Sequence, residues 1–361
     1  MRLLIVLVAF FSTLHLSAQT FKSGFDAVEY ADLLMLNFKG FSDTSFKQLS
    51  NKELRYQYQF TSVTPEVGLA NKCAFYLRKD GVGIINLRGT VQKTESWLAN
   101  FYAGMIPAID SITLNDGSTF PYQVAANNKS YVHVGWMLSL AHLAPYINHF
   151  VDSLRQVGVK QFIVSGHSQG GALAFLTTSY LFYKNHSQGM ALKTYASAAP
   201  KPGNLYYAYD FEHITRDGWG YRVVNTEDWV PETPLTVQTL NDINTANPIS
   251  NAKSVLKQQQ FLVRLYLNRI YNKMDKASTK TMKHYRTYLG AKVGGYVRKS
   301  LPNVVVPNLM YSSNYSTAGT PVILFADDAY HQQFSFTGSN FFVHHMLAPY
   351  MYLLQKQYHL P

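Results

Sequence analysis

Apolar and polar positions alternate along the chain in two rhythms, one helical and one strand-like. Over 25–38, Ala27, Tyr30, Ala31, Leu34 and Phe38 recur on one side and predict an amphipathic helix. Two short apolar runs, Ala74–Leu77 and Val82–Leu87, flank Asp80 and Gly81, a pair suited to a tight hairpin turn, so strands are predicted within 72–88. Residues 107–130 carry Pro107, Asn115-Asp116-Gly117 and Asn127-Asn128 and predict loop and hairpin. Leu138 to Leu154 predicts a helix bent near Pro145. A strand over 161–165, a helix over 170–184 and short strands at Thr194–Ser197 and Tyr221–Asn225 follow. Strands alternating with helices predict an α/β fold, its mostly parallel sheet covered by helices on both faces. Residues 236–310 break the rhythm. Leu262, Tyr266, Ile270 and Met274 recur every fourth position in a helix predicted over Asn251–Met274, and a second helix is predicted over Ser278–Leu289. Gly290, Gly294-Gly295 and Pro302 close this segment, which reads as a helical insertion into one domain.

The first eighteen residues have a different character. Arg2, the apolar run Leu3–Phe11 and the small residues Ser17 and Ala18 form the charged, apolar and cleavage regions of a signal peptide, leaving 19–361 as the mature domain. The apolar run is short for a membrane anchor, and no cysteine stands at the cleavage point to take a lipid. A secreted or periplasmic location is therefore expected. Cys73 is the only cysteine, so no intramolecular disulfide can form, which fits a bacterial periplasm or exterior. Its apolar run, Cys73–Leu77, predicts a buried, inert thiol. No His or Cys cluster has metal-ligand spacing, and no metal or cofactor is expected.

Charge is concentrated in one place. The net charge is +11, and residues 253–299 hold 12 Lys and Arg against a single acid, Asp275. The basic character thus belongs to the insertion and not to the fold.

The most informative stretch is Ile163-Val164-Ser165-Gly166-His167-Ser168-Gln169-Gly170-Gly171-Ala172. An apolar strand, a G-x-S-x-G turn and a small-residue helix are the context of a nucleophile elbow, which lifts the serine hydroxyl to the tip of a sharp turn. A serine needs a base, and the base an orienting acid. In elbow-type hydrolases they follow in the order Ser, acid, His. Asp228 stands in a short acidic loop after the strand 221–225, where open α/β sheets place their sites. Later, His344 and His345 head the apolar helix 347–354, and His331 lies upstream of both.

Taken together, these blocks resemble the class 3 (fungal-type) lipases of the α/β-hydrolase superfamily, with features of a bacterial member. Arg88-Gly89-Thr90 with Trp97 and Asn100 resembles the family's R-G-[ST] and W-x-x-N blocks, and His133-Val134-Gly135-Trp136 its H-x-G-[FW] block. Residues 163–174 resemble its elbow, Pro200–Asn204 its P-[RK]-x-G-[ND] block, Arg222–Asn225 with Asp228, Pro231 and Pro234 its acid block, and His345–Tyr350 its terminal block. The resemblance implies Ser168 as nucleophile, Asp228 as orienting acid and His345 as base, with the backbone N–H groups of Thr90 and Gln169 as oxyanion donors, Thr90 aided by its hydroxyl. Arg88, His133 and His167 are expected to be structural. Three departures stand out. Gln169 replaces a leucine common in fungal members, His344 occupies a place where an Asp often precedes the base, and 117 residues separate Asp228 from His345.

The implied activity is ester hydrolysis on lipids through an acyl-enzyme. A phospholipase or another ester hydrolase on the same scaffold, and a non-catalytic protein that binds lipid surfaces, are the alternatives. Residues 96–102 read either as a short lid or as core packing. Residues 253–299 read as a docking surface for an anionic membrane or as a solvated cap. No nucleic-acid recognition motif accompanies these basic residues, and no nucleic-acid partner is expected.

Overall fold

A computed structural model describes residues 21–50, 53–185, 189–247, 256–257 and 259–360. The signal-peptide expectation for 1–18 lies outside the described residues. The strands are β1 (Tyr58–Val63), β2 (Cys73–Arg78), β3 (Gly83–Leu87), β4 (Met105–Pro107), β5 (Ile109–Thr113), β6 (Thr119–Gln123), β7 (Tyr131–His133), β8 (Gln161–His167), β9 (Ala191–Ser197), β10 (Gly203–Asn204), β11 (Gly220–Asn225), β12 (Tyr315–Ser316) and β13 (Thr320–Leu324). The helices are α1 (Ala27–Lys39), α2 (Asp43–Ser50), α3 (Thr94–Phe101), α4 (Val134–Gln156), α5 (Gln169–Asn185), α6 (Leu205–Ile214), α7 (Phe261–Tyr285), α8 (Val293–Ser300), α9 (Asp328–Gln333) and α10 (Leu347–Tyr358).

The main sheet has seven strands in the order β1-β2-β3-β8-β9-β11-β13. The first two pairings are antiparallel, and all those from β3 to β13 are parallel. This is the mostly parallel sheet that the alternation of strands and helices predicts. Successive residues of a strand face opposite layers. In β8, Phe162 and Val164 enter the core beneath α4 and α5, while Ile163 enters the core beneath α1 and α10. Covered on both faces, β8 has no polar face to alternate with, so its sequence is a continuous apolar run. The same two-sided burial holds Cys73 at zero exposure and pushes its thiol pKa well up.

Most predicted elements appear with shifted ends. The 72–88 hairpin pairs Cys73 with Leu87, and the 107–130 region forms the β5–β6 hairpin around Asn115-Asp116-Gly117. Helix α4 starts four residues earlier than predicted because the buried His133 side chain caps it, accepting from the Trp136 N–H. It then continues through Pro145.

The segment 236–310 differs more. It leaves the fold at Val237 and returns at Ser313, where the two backbones bridge. The start of the helix predicted from Asn251 lies outside the described residues. The break predicted after Met274 does not occur: α7 runs unbroken from Phe261 to Tyr285, then through a π-helical turn over Arg286–Lys292 into α8. Ser278, which reads as a helix start in the sequence, instead turns its hydroxyl back to the Asp275 carbonyl at 3.2 Å inside the helix.

Candidate active site

Strand β8 turns into α5 through Ser168, whose φ of 62° is left-handed. That conformation costs a non-glycine residue of order 1–3 kcal/mol and persists only where its surroundings fix it. The Ser168 N–H donates to the Ser197 carbonyl at 2.9 Å, and its carbonyl accepts from Gly171 and Ala172. Two glycines make the close approach possible. A Cβ at Gly166 would lie 2.1 Å from the Gly170 carbonyl oxygen, and one at Gly170 would lie 2.2 Å from that of Leu87.

Asp228 follows β11 in a tight turn, its N–H donating to the Asn225 carbonyl at 3.1 Å. Its buried carboxylate accepts three hydrogen bonds. His345 Nδ1 is 2.7 Å from Oδ2, the Tyr350 hydroxyl donates to Oδ2 at 2.8 Å, and the Val230 N–H donates to Oδ1 at 3.1 Å. Tyr350, on the first turn of α10, also accepts from the Asn225 N–H at 3.2 Å and so ties that helix to the end of β11.

His167 joins this pair to the elbow. Its Nε2 lies 2.7 Å from the His345 carbonyl, and the two rings are 4.7 Å apart. A carbonyl only accepts, so Nε2 carries the proton and Nδ1 accepts. The Nδ1 partner is the Ser197 hydroxyl at 2.9 Å, which in turn takes a hydrogen bond from the Tyr30 hydroxyl at 2.6 Å. Burial drives the His167 pKa well down and keeps the ring neutral. The serine turn and the His345 segment are thus anchored on the same side chain.

The remaining histidines are placed elsewhere. His344 Nδ1 meets the Tyr330 hydroxyl at 2.7 Å, and its carbonyl accepts from Asn225 Nδ2. His331 faces Glu227 at 3.5 Å on the surface. Of the three candidates for the base, only His345 meets Asp228. His133 is fully buried and stacks on Trp136 at 3.6 Å, and desolvation lowers its pKa to about 3.

The loop after β3 lies against the elbow, since a Cβ at Gly89 would stand 2.9 Å from the His167 carbonyl oxygen. Arg88 braces this loop through Glu66 at 2.7 Å and the Ala70 carbonyl at 2.8 Å. The Thr90 hydroxyl donates to Gln169 Oε1 at 3.2 Å and accepts from Asn100 Nδ2 at 2.9 Å. Trp136 Nε1 and His133 Nε2 fix Asn100 in turn, at 3.0 and 3.1 Å. The Thr90 hydroxyl is therefore committed, and only its backbone N–H is left pointing to no acceptor among the described residues. Gln169 is the first residue of α5, so its N–H has no intrahelical partner. The Gln169 side chain thus bridges the two loops, a contact of which the sequence carries no sign.

An exposed aromatic rim stands beside His345. The Phe342 ring is 5.8 Å from His345, 6.3 Å from Trp97 and 5.5 Å from Trp229. Trp97 also stacks on Phe101 at 6.0 Å, so α3 turns two aromatics outward while Ser96 and Ala99 are buried. Among the described residues, no group of His, Cys, Asp and Glu is placed to hold a metal ion.

Residues 84–238 match the lipase (class 3) family model. The matched lipase span includes Thr90, the elbow and Asp228, while α7 and His345 lie beyond it. The chain is 27% identical over 155 residues to the secreted mono- and diacylglycerol lipase 1 of Fusarium solani, covering 43% of this chain and 40% of that one. It is 32% identical over 129 residues to the secreted mono- and diacylglycerol lipase 3 of Gibberella zeae, covering 36% and 38%. It thus spans about two fifths of the length of these relatives. Among solved structures, the Rhizomucor miehei lipase propeptide complex aligns at TM-score 0.41 and 18% identity, over 57% of this chain and 62% of that one. The Lip2 lipase of Yarrowia lipolytica aligns at TM-score 0.43 and 16% identity, over 59% and 76%.

Proposed function

We propose that this chain is an exported ester hydrolase that cleaves carboxylic esters of lipids through an acyl-enzyme on Ser168. One observation carries the reading: Asp228 and His345 meet at 2.7 Å, and the His345 segment is fastened to the serine elbow through His167. In the proposed reaction His345 Nε2 takes the Ser168 proton as Oγ attacks the ester carbonyl. Asp228 holds the ring through Nδ1 and stabilises the imidazolium that forms. The negative oxygen is received by the N–H groups of Thr90 and Gln169, donors of a kind that contributes several kcal/mol. The C–O bond then breaks and the alcohol leaves with the imidazolium proton. Water repeats the sequence on the acyl-serine and releases the acid.

The aromatic rim at Phe342, Trp97 and Trp229 supports a substrate with an apolar acyl chain. The matched relatives, named as secreted mono- and diacylglycerol lipases, support glycerides as the substrate class. Export rests on the charged, apolar and small-residue pattern of residues 1–18, and a bacterial source on the absence of any cysteine pair in an exported chain. The test is hydrolysis of p-nitrophenyl butyrate and of a diacylglycerol by wild type and Ser168→Ala, with fluorophosphonate labelling of the serine. Activity and labelling lost together in the folded variant support the proposal. A variant with wild-type turnover, or a label on another residue, overturns it.

A further inference from the structure

Helix α7 is unusual for a helix of its length. Of its 25 residues only Met282 and Tyr285, near its end, are buried. Its end is well fixed. Arg286, just beyond, donates to the Leu309 carbonyl at 3.0 Å, the Leu289 carbonyl accepts from the Ala103 N–H at 2.9 Å, and Gly294 of α8 lies against Tyr102. The first half is bare. Leu262, Tyr266, Ile270 and Met274 are exposed by 76%, 66%, 42% and 69%. At about 100° per residue these four fall in one arc of about 120°. Arg269, Lys273, Lys276, Lys280 and Lys283 fall in an arc of about 80° that overlaps the edge of the first by about 20°. None of these five has an ion-pair partner among the described residues.

An apolar stripe of this size on a surface marks an interaction site. Its neighbours indicate what covers it. A second copy would bring two rows of cations together, whereas an anionic lipid surface neutralises the row while accepting the stripe. No helix among the described residues is long and apolar enough to cross a membrane, so α7 suits the plane of the interface. We propose that α7 is a docking helix for anionic membranes, with its leucine–tyrosine–isoleucine–methionine stripe in the acyl boundary and its lysines among the headgroups. Through α8 the helix packs on α3, whose Trp97 reaches Phe342 and so His345. This deepens the reading of lipid esters as substrates, but binding itself needs no turnover.

The experiment is sedimentation of the Ser168→Ala protein with vesicles of phosphatidylcholine alone or mixed with phosphatidylglycerol. Two further proteins carry Lys273→Glu, Lys276→Glu and Lys280→Glu, or Leu262→Ser, Ile270→Ser and Met274→Ser. Each cation near an anionic surface contributes enough that the charge variant is expected to bind mixed vesicles at least about tenfold more weakly. The apolar variant is expected to weaken as much, and neutral vesicles to bind poorly throughout. The same triples in the Ser168 protein should retain hydrolysis of soluble p-nitrophenyl butyrate, which shows that they fold. Equal binding to both vesicle types, or mixed-vesicle binding unchanged by either triple, overturns the proposal. So does a wild-type dimer that the apolar triple dissociates, or tighter binding to duplex DNA than to mixed vesicles. A vesicle result holds whichever way the ester assay falls, so the two proposals can fail separately.

Discussion

Tyr350→Phe removes one buried oxygen and leaves the ring in place. That oxygen donates to Asp228 Oδ2 at 2.8 Å and accepts from the Asn225 N–H at 3.2 Å. A hydrogen bond to a charged group contributes about 1.5–3 kcal/mol, and a buried N–H left without an acceptor costs about 1–3 kcal/mol. The expected loss of folding stability is therefore about 3 kcal/mol or more, out of the roughly 5–15 kcal/mol that a protein of ordinary stability holds. The loss in turnover should be far smaller. His345 still meets Oδ2, and the Val230 N–H still pins Oδ1, so the imidazole keeps both its acceptor and its direction. A fall in kcat of no more than about tenfold is expected, against about 10⁴ for Asp228→Asn, which disturbs the acceptor itself. Urea unfolding and p-nitrophenyl butyrate turnover, measured on both variants, check the contrast. A Tyr350→Phe protein that is as inactive as Asp228→Asn while folded, or that loses under about 0.5 kcal/mol, would refute this view of the carboxylate.

The two adjacent histidines should separate cleanly. His345→Ala is expected to lose at least about 10³-fold in kcat, and His344→Ala less than about tenfold, in the same ester assay; the reverse order would assign the base to His344. Stability should also depend on pH through the buried histidines. In the folded state the His133 pKa is lowered from 6.5 to about 3 by burial, so below pH 6.5 the unfolded chain takes up a proton that the native state refuses. His167 is shifted in the same direction. Stability is full above the unfolded pKa and falls as pH drops through 6.5 towards 3, by about 2 kcal/mol at pH 5 from His133, with His167 adding in the same direction. Denaturant midpoints at pH 7 and pH 5 measure this, and equal midpoints would contradict it.

The parts of this site that are local in the chain could be read without coordinates. The elbow is legible because a buried two-faced strand, a glycine pair and a small-residue helix must be contiguous. Asp228 and His345 are legible by order and resemblance. What joins them is not local. Tyr30 reaches Ser197 across 167 residues, and His167 reaches His345 across 178. The buried Glu29 contacts Arg78 at 2.5 Å and Lys193 at 2.7 Å by the same kind of long crossing. No periodicity announces a buried polar contact between distant positions. The unbroken α7 was obscured for a different reason: Asp275 and Ser278 favour helix starts and turns when read alone, and only the helix geometry turns the serine inward.

The long separation between Asp228 and His345 also orders events in time. The chain is made from its N-terminal end, so the elbow and Asp228 exist while the 117 residues up to and including His345, the basic helix among them, are still to be added. At 5–20 residues per second that interval is roughly 6–25 s. Through all of it Ser168 lacks the base proposed for it. On the proposed reading, the serine stays idle until the stretch that carries His345 has been made, and the segment placed between acid and base acts as a safety catch.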